Sequence, residues 1–324
     1  MTRLAPLLWI AGILCVVALV VQTGAHETGA VLASAGWGIA AVAAFHLLPL
    51  VADALGWRAL VTRNARPSVR GAAWNRWLGE SVNGLLPVMQ LGGELVRIRV
   101  ATLAGIPVAM ATATMIADVT LGTLSQILFS ILGVALLLTR DATLTGPHIL
   151  LGALVIFAVP VVLFITVQRA GPARLMMCLA TRLVARQGIF DRWGGPEAFD
   201  AALAATYRAR PTTIALWWRS VGWLAGTGEI WLIFYVLGHP ISLLEATMYE
   251  SLVQAVRSAA FFIPGGLGLQ EGAFLTLAMT VGVGPELGLA AALVRRAREI
   301  GLGVPGLLAL TLMEGRRVLL EDRS

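Results

Sequence analysis

Arg295, Arg296 and Arg298 stand almost side by side in an otherwise apolar stretch, followed directly by Glu299. Three guanidiniums beside one glutamate leave positive charge to spare, and a guanidinium fork matches a phosphate with two parallel hydrogen bonds. The chemistry this suggests is capture of an anionic headgroup. Upstream, Gly265, Gly266 and Gly268 follow Pro264, and backbone amides freed by such a turn can form a nest for the same anion. Glu271 then follows Pro264 at the spacing at which Glu94 follows Pro87, seven residues in each case.

That spacing is part of a longer correspondence. Residues 77–99 and 257–274 each combine a proline with paired glycines, and further on Gly105, Pro107 and Asp118 are echoed by Gly284, Pro285 and Arg296. The offset of roughly 177 residues implies an internal duplication, and broken helices in inverted repeats are a common way to build a secondary transporter. Proline removes an amide donor and glycine favours a turn, so the freed backbone survives only buried in protein or beside water. Each motif is therefore read as a re-entrant hairpin; the plainer reading is a kinked helix.

The elements that must carry these residues follow from hydropathy. The chain is 58% hydrophobic and 13% charged, with a mean hydropathy of +0.82, whereas a soluble domain carries about 25% charged residues. Apolar runs near the length needed to cross a hydrocarbon core of about 30 Å recur from end to end. Six full spans are expected, at about 4–21, 37–60, 107–138, 149–167, 213–237 and 285–312, with a further apolar stretch at 243–263 interrupted by Glu245, Glu250 and Arg257. The fold class expected is an all-α polytopic membrane protein of about six transmembrane helices plus two re-entrant helical hairpins, in one domain over 1–324. Its repeats lie at about 33–139 and 212–318, joined by a linker at 169–211.

All 24 basic residues are arginine, a bias that base composition alone can produce. Without lysine there is no P-loop, no Schiff-base amine and no Ser-Lys dyad. The formal charge of +6 reads as arginines retaining loops on the cytoplasmic side, not as a nucleic-acid surface. Arg63, Arg66, Arg70 and Arg76, and then the arginines of 169–210, place those segments and both termini on the cytoplasmic side of the membrane. Leu175, Met176, Leu179 and Leu183 alternate with Arg174, Arg182 and Arg186 as in an interfacial amphipathic helix, or a solvated linker helix. Residues 1–30 also fit a cleavable signal peptide. Cys15 and Cys178 are not expected to pair. His26, His46, His148 and His239 each lack a nearby partner, so no metal and no cofactor is expected.

Asp53, Asp118, Arg219, Glu229, Glu250, Arg257, Arg295, Arg296, Arg298 and Glu299 fall within apolar runs. Unpaired, each costs at least about 2.5 kcal/mol, so they pair or face a cavity. Thr114, Asp118, Gly122 and Ser125 share one helical face, and Arg295 faces Glu299 one turn on. Ion pairs that merely hold the bundle together are the alternative.

Asn83, Leu85-Leu86-Pro87, Gly92-Gly93-Glu94 and Arg97, then Pro264-Gly265-Gly266-Leu267-Gly268 with Gln270-Glu271, and finally Arg295-Arg296 with Arg298-Glu299, carry a resemblance. The chain resembles the flippase-like superfamily of the lysylphosphatidylglycerol synthase transmembrane region. With Glu80-Ser81-Val82-Asn83 it is most similar to the hopanoid-biosynthesis-associated membrane proteins. The resemblance implies an inner-membrane protein acting on phospholipid, polyprenyl-phosphate or hopanoid-type lipids. Asn83, Glu94, Arg97, Glu271, Arg295, Arg296 and Glu299 match its motifs; Asp118, Arg257 and the three glycines join them as expected substrate-binding positions. No segment of this sequence reads as the soluble aminoacyl-transferase domain of bifunctional relatives, so aminoacylation is not expected of it. Membrane lipids, chiefly anionic ones, are the expected partners, with hopanoid-pathway enzymes as further ones. The functions in contention are a lipid translocase, a lipid-modifying enzyme using the buried carboxylates as acid and base, and an accessory scaffold.

Overall fold

The computed structural model describes residues 29, 30, 33–86, 88, 91–140, 202, 206, 207, 209–259, 263 and 266–321. The expected spans at 4–21 and 149–167, the amphipathic segment at 173–185, both cysteines, and Gly265 lie outside them. The described residues are helical apart from short connections.

Two helices, α1 (Gly38–Phe45) and α2 (Leu47–Leu60), run on through His46 as one apolar stretch long enough to cross a membrane. After the arginine-bearing loop, α3 (Val69–Leu85) begins where the Ser68 hydroxyl accepts the Gly71 amide, a normal N-cap. It ends just before Pro87, and α4 (Gly92–Leu103) starts after the break. The long helix α5 (Val108–Arg140) has Asp118 as its one acidic residue and is also long and apolar enough to span.

The second half repeats this order. The long α6 (Ala209–Val236) is followed by α7 (Leu243–Ala259), a break, the short α8 (Leu269–Val281) and the long α9 (Pro285–Glu321). Left-handed Gly268 opens α8 and left-handed Gly282 closes it, conformations that an L side chain resists. At 1.5 Å per residue, α4 and α8 are only about 18 to 20 Å long, too short for a hydrocarbon core of about 30 Å.

The packing follows the same two-part order. α2 lies along α6 at the centre, α3 packs on α9, and α7 packs on α5. Within the halves, α3 pairs with α4 and α7 with α8, and these in turn meet α5 and α9. Exchanging the halves maps this set of packings onto itself. The two larger apolar clusters among the described residues lie around Trp57, Ile98 and Met115 and around Phe234, Tyr249 and Phe274. Leu128, Leu224, Leu308 and Leu312 point outward, each more than half exposed, as side chains against lipid do.

Small residues set the two crossed contacts between halves. A Cβ on Gly133 of α5 would collide with the Ser251 side chain of α7, and one on Gly306 of α9 with Ser81 of α3. Both pairs bring a serine of one half against a glycine of the other, the close approach that membrane helices obtain from small residues.

Arg76 departs from the sequence expectation. It is not a loop residue but lies inside α3, its guanidinium 2.7 Å from Asp53. The positive-inside rule reads arginines by sequence position and cannot recognise one whose counterion lies on a neighbouring helix.

Candidate functional site

The charges expected to pair or face a cavity converge along the line where the halves meet. Arg97 of α4, 1% exposed, is held on every side. Its Nη1 donates to Glu94 at 2.8 Å and its Nε to Asn75 at 3.1 Å. Nη2 sits 2.9 Å from Asp118 of α5 as an ion contact without hydrogen-bond alignment. The guanidinium also lies 5.6 Å from the Trp57 ring centroid, a cation–π distance. A Cβ on Gly79 would stand 2.5 Å from Arg97 Cγ, so glycine there gives the arginine its path between α3 and α4.

Asp118 also accepts Arg219 Nη2 of α6 at 2.6 Å, and Arg219 Nη1 reaches Asp53 of α2 at 3.0 Å. Asp53 holds Arg76, whose Nε lies 3.9 Å from Glu80. Glu80 then meets His46 Nε2 at 2.7 Å, and His46 Nδ1 meets Glu229 of α6 at 2.6 Å. Glu229 accepts both Nε and Nη2 of Arg298 at 3.0 and 2.7 Å. One continuous chain of opposite charges thus runs through α4, α5, α6, α2, α3, α1–α2 and α9.

A second chain occupies the other half. Arg295 grips Glu250 of α7 bidentately at 2.6 and 3.2 Å. Arg296 donates Nε and Nη2 to Glu271 of α8 at 3.0 and 2.7 Å, and Nη1 to Glu299 at 2.7 Å. Glu299 also takes Arg257 Nη1 at 3.1 Å and lies a looser 4.0 Å from Arg295 Nε. Arg257 and Arg296 are the more open guanidiniums of this cluster, with side chains 20% and 13% exposed. Across both chains, the arginines at 76, 97, 219, 257, 295, 296 and 298 meet carboxylates at 53, 80, 94, 118, 229, 250, 271 and 299. Among the described residues, seven guanidiniums therefore face eight carboxylates.

Two sequence expectations need correction. The arginine cluster has no surplus of positive charge among the described residues: besides Glu299 of their own helix, Arg295, Arg296 and Arg298 meet Glu250, Glu271 and Glu229 of three other helices, with Glu80 of a further one 3.9 Å from Arg298, partners that linear spacing cannot associate. Nor are the two described turn amides, those of Gly266 and Gly268, free. The Gly268 N–H donates to Glu271 Oε2 at 2.8 Å and the Gly266 N–H to Ile263 O at 3.0 Å. Glu271 thereby closes its own helix start and holds Arg296 with its other oxygen. At the first break Asn83 does related work, its Oδ1 accepting the Gly93 N–H at 2.7 Å and tying α3 to the start of α4.

The predicted residues fall into two groups. Glu94, Arg97 and Asp118 form one cluster, with Asn83 beside them; Arg257, Glu271, Arg295, Arg296 and Glu299 form the other, beside Gly266 and Gly268. Arg298 belongs to the first chain through Glu229. The shared face on α5 has partners along its length: Trp57 donates to Thr114 at 3.3 Å and Trp223 to Ser125 at 3.1 Å. Arg219 lies against Gly122, 3.5 Å from where a Cβ would be. What linear reading missed is His46, whose partners lie 34 and 183 residues away. No short-range spacing signals it.

A family model described as the lysylphosphatidylglycerol synthase TM region matches residues 7–306. No curated protein and no solved structure matches the chain.

Proposed function

The chain belongs to the family of the lysylphosphatidylglycerol synthase transmembrane region, and on that premise we propose that it is a lipid translocase of a bacterial inner membrane. It moves or handles a phospholipid, polyprenyl-phosphate or hopanoid-type lipid between leaflets without a covalent step and without nucleotide hydrolysis. The observation that carries this reading is the cluster of Arg257, Arg296, Glu271 and Glu299 beside the break between α7 and α8. Its guanidiniums are partly open and share a carboxylate, Glu299, between them. An anionic headgroup offers the oxygens that Glu299 and Glu271 now supply, so it can replace them without leaving a guanidinium unpaired.

The architecture supports the same reading. Short helices on either side of two breaks fit re-entrant hairpins, and the exchange-symmetric packing fits inverted repeats at about 33–139 and 212–318 of one domain, with both termini cytoplasmic. Such repeats place a substrate site where they meet; the first charge chain crosses between the halves there, while the second lies within the second half beside its break.

Reconstituted liposomes test the proposal. Leaflet exchange of fluorescent anionic, zwitterionic and neutral lipids is compared for the wild type and Arg296→Ala. The expected result is exchange of an anionic lipid that falls about tenfold or more in the variant, the effect of about 1.4 kcal/mol of lost headgroup binding. Exchange of no lipid by the wild type overturns the translocase reading.

The complete pairing of the arginines also favours a second reading, an accessory scaffold for hopanoid-pathway enzymes in which the ion pairs only hold helices together. A scaffold retains its partners when Arg296 is replaced and loses them when the segment at 169–211 is altered; pull-down from membranes separates the two. An enzyme would change the mass of a lipid, which mass spectrometry of the same liposomes reads.

A further inference from the structure

His46 presents both ring nitrogens to carboxylate oxygens, Nδ1 to Glu229 Oε2 at 2.6 Å and Nε2 to Glu80 Oε1 at 2.7 Å. A neutral imidazole has one N–H donor and one lone-pair acceptor, while an ionised carboxylate only accepts. One of the two short contacts would then set lone pair against lone pair. The arrangement is satisfied only when the three groups hold one proton more than a neutral ring between two carboxylates. The charge count of the buried chains, eight carboxylates against seven guanidiniums among the described residues, is balanced by the same single proton.

We propose that His46, Glu80 and Glu229 form a proton-binding site that controls access of an anionic headgroup to Arg298, an inference that rests on the translocase reading only for the identity of the cargo.

The three groups differ in their access to the outside. The Glu80 side chain is 33% exposed, His46 11% and Glu229 4%, so the ring stands between an open carboxylate and a closed one. The charged groups that face it come from every side. From α3 there are Glu80 and, behind it, Arg76; from α6, Glu229; from α9, Arg298, with Nη1 3.4 Å from His46 Nε2 and 3.9 Å from Glu80. On its own span, Asp53 is occupied by Arg76 and Arg219. Arg298 is a like charge to an imidazolium, so the ring keeps its second proton only while both carboxylates are ionised.

The control step is a proton transfer. The N–H bond at His46 Nδ1 breaks and an O–H bond forms at Glu229 Oε2, leaving a neutral ring that still donates from Nε2 to Glu80. Arg298 then faces a neutral carboxyl in place of its close carboxylate and keeps only the looser Glu80, 3.9 Å away, as an anion, and an incompletely paired buried guanidinium draws in another. Headgroup departure reverses the step. Because proton position and anion binding bias each other, the coupling is reciprocal: an anion bound at Arg298 must bias the proton from His46 toward Glu229 by the same free energy.

The test uses the full chain in lipid nanodiscs, with histidine side chains labelled for nitrogen NMR and His46 assigned by the signal lost in His46→Gln. Both ring nitrogens of His46 are expected to be protonated at about pH 7, where a free histidine of pKa about 6.5 is mostly neutral. Glu229→Gln is expected to return the ring to a single neutral tautomer at that pH, with Glu80→Gln as an independent second variant. A neutral wild-type ring at about pH 7 overturns the proposal. So does a doubly protonated ring unaffected in both variants.

In liposomes, anionic-lipid exchange is expected to change about tenfold with an imposed pH gradient in the wild type and not at all in His46→Gln. Equal gradient dependence in both overturns the control of headgroup access by the triad. Absence of exchange throughout, with the ring doubly protonated and the variants behaving as expected, leaves the proton site standing and removes the translocase reading.

Discussion

Asp118 is 1% exposed and lies against two guanidiniums, Arg97 and Arg219. Neither charge can be neutralised by deprotonation, because a guanidinium keeps its proton under all ordinary conditions. Asp118→Ala therefore strands buried positive charge, which costs about 3 to 5 kcal/mol when one partner of a buried pair is removed. A large fall in the thermal unfolding temperature in detergent is expected. Glu314→Ala is the control: its partner Arg99 and Glu314 are each more than a third exposed, and such pairs contribute about 0 to 1 kcal/mol. If the two variants unfold alike, Asp118 is not the junction between the halves.

Between residues and whole molecule, the helix contacts depend on the small residues that face each other across the halves. Gly133→Ala and Gly306→Ala each push a methyl into a serine of α7 or α3, and overpacking of this kind costs about 1 to 3 kcal/mol. Both variants are expected to unfold earlier than the wild type. Ser81→Gly is expected to restore most of the loss from Gly306→Ala, since it removes the atoms that collide. Failure of that rescue would place the destabilisation in α9 itself, which already carries Pro305 within its helix, rather than in the α3–α9 contact.

Over the whole molecule, an inverted repeat makes a topological prediction. On the proposed inverted repeat, the first break, near Val88, and the second, near Ile263, hold equivalent positions of the two halves and enter from opposite sides of the membrane. Single cysteines at 88 and 263, in a chain with Cys15 and Cys178 replaced by serine, are expected to react with a membrane-impermeant thiol reagent from opposite faces of oriented vesicles. Reaction from the same face would make the repeat parallel rather than inverted. The crossed packing of α3 on α9 and α7 on α5 ties each break to the long helix of the other half.

Much of this was written into the order of residues. Hydropathy marks the continuous run of α1–α2 and the helix α5 because a hydrocarbon solvent demands apolar runs of a set length, whatever the partners. Proline and glycine mark the breaks near residues 87 and 264 because their effect on the backbone is local. The equal spacing from Pro87 to Glu94 and from Pro264 to Glu271 needs no tertiary contact to be seen. Which charge meets which was decided only by the tertiary structure. Arg296 finds Glu271, Arg298 finds Glu229, and His46 is held between Glu80 and Glu229. Coulombic pairing depends on distance through a low-dielectric interior, and helices far apart in the chain bring these groups within 3 Å of one another. A residue such as His46 therefore looks solitary in the sequence and is fully engaged in the fold.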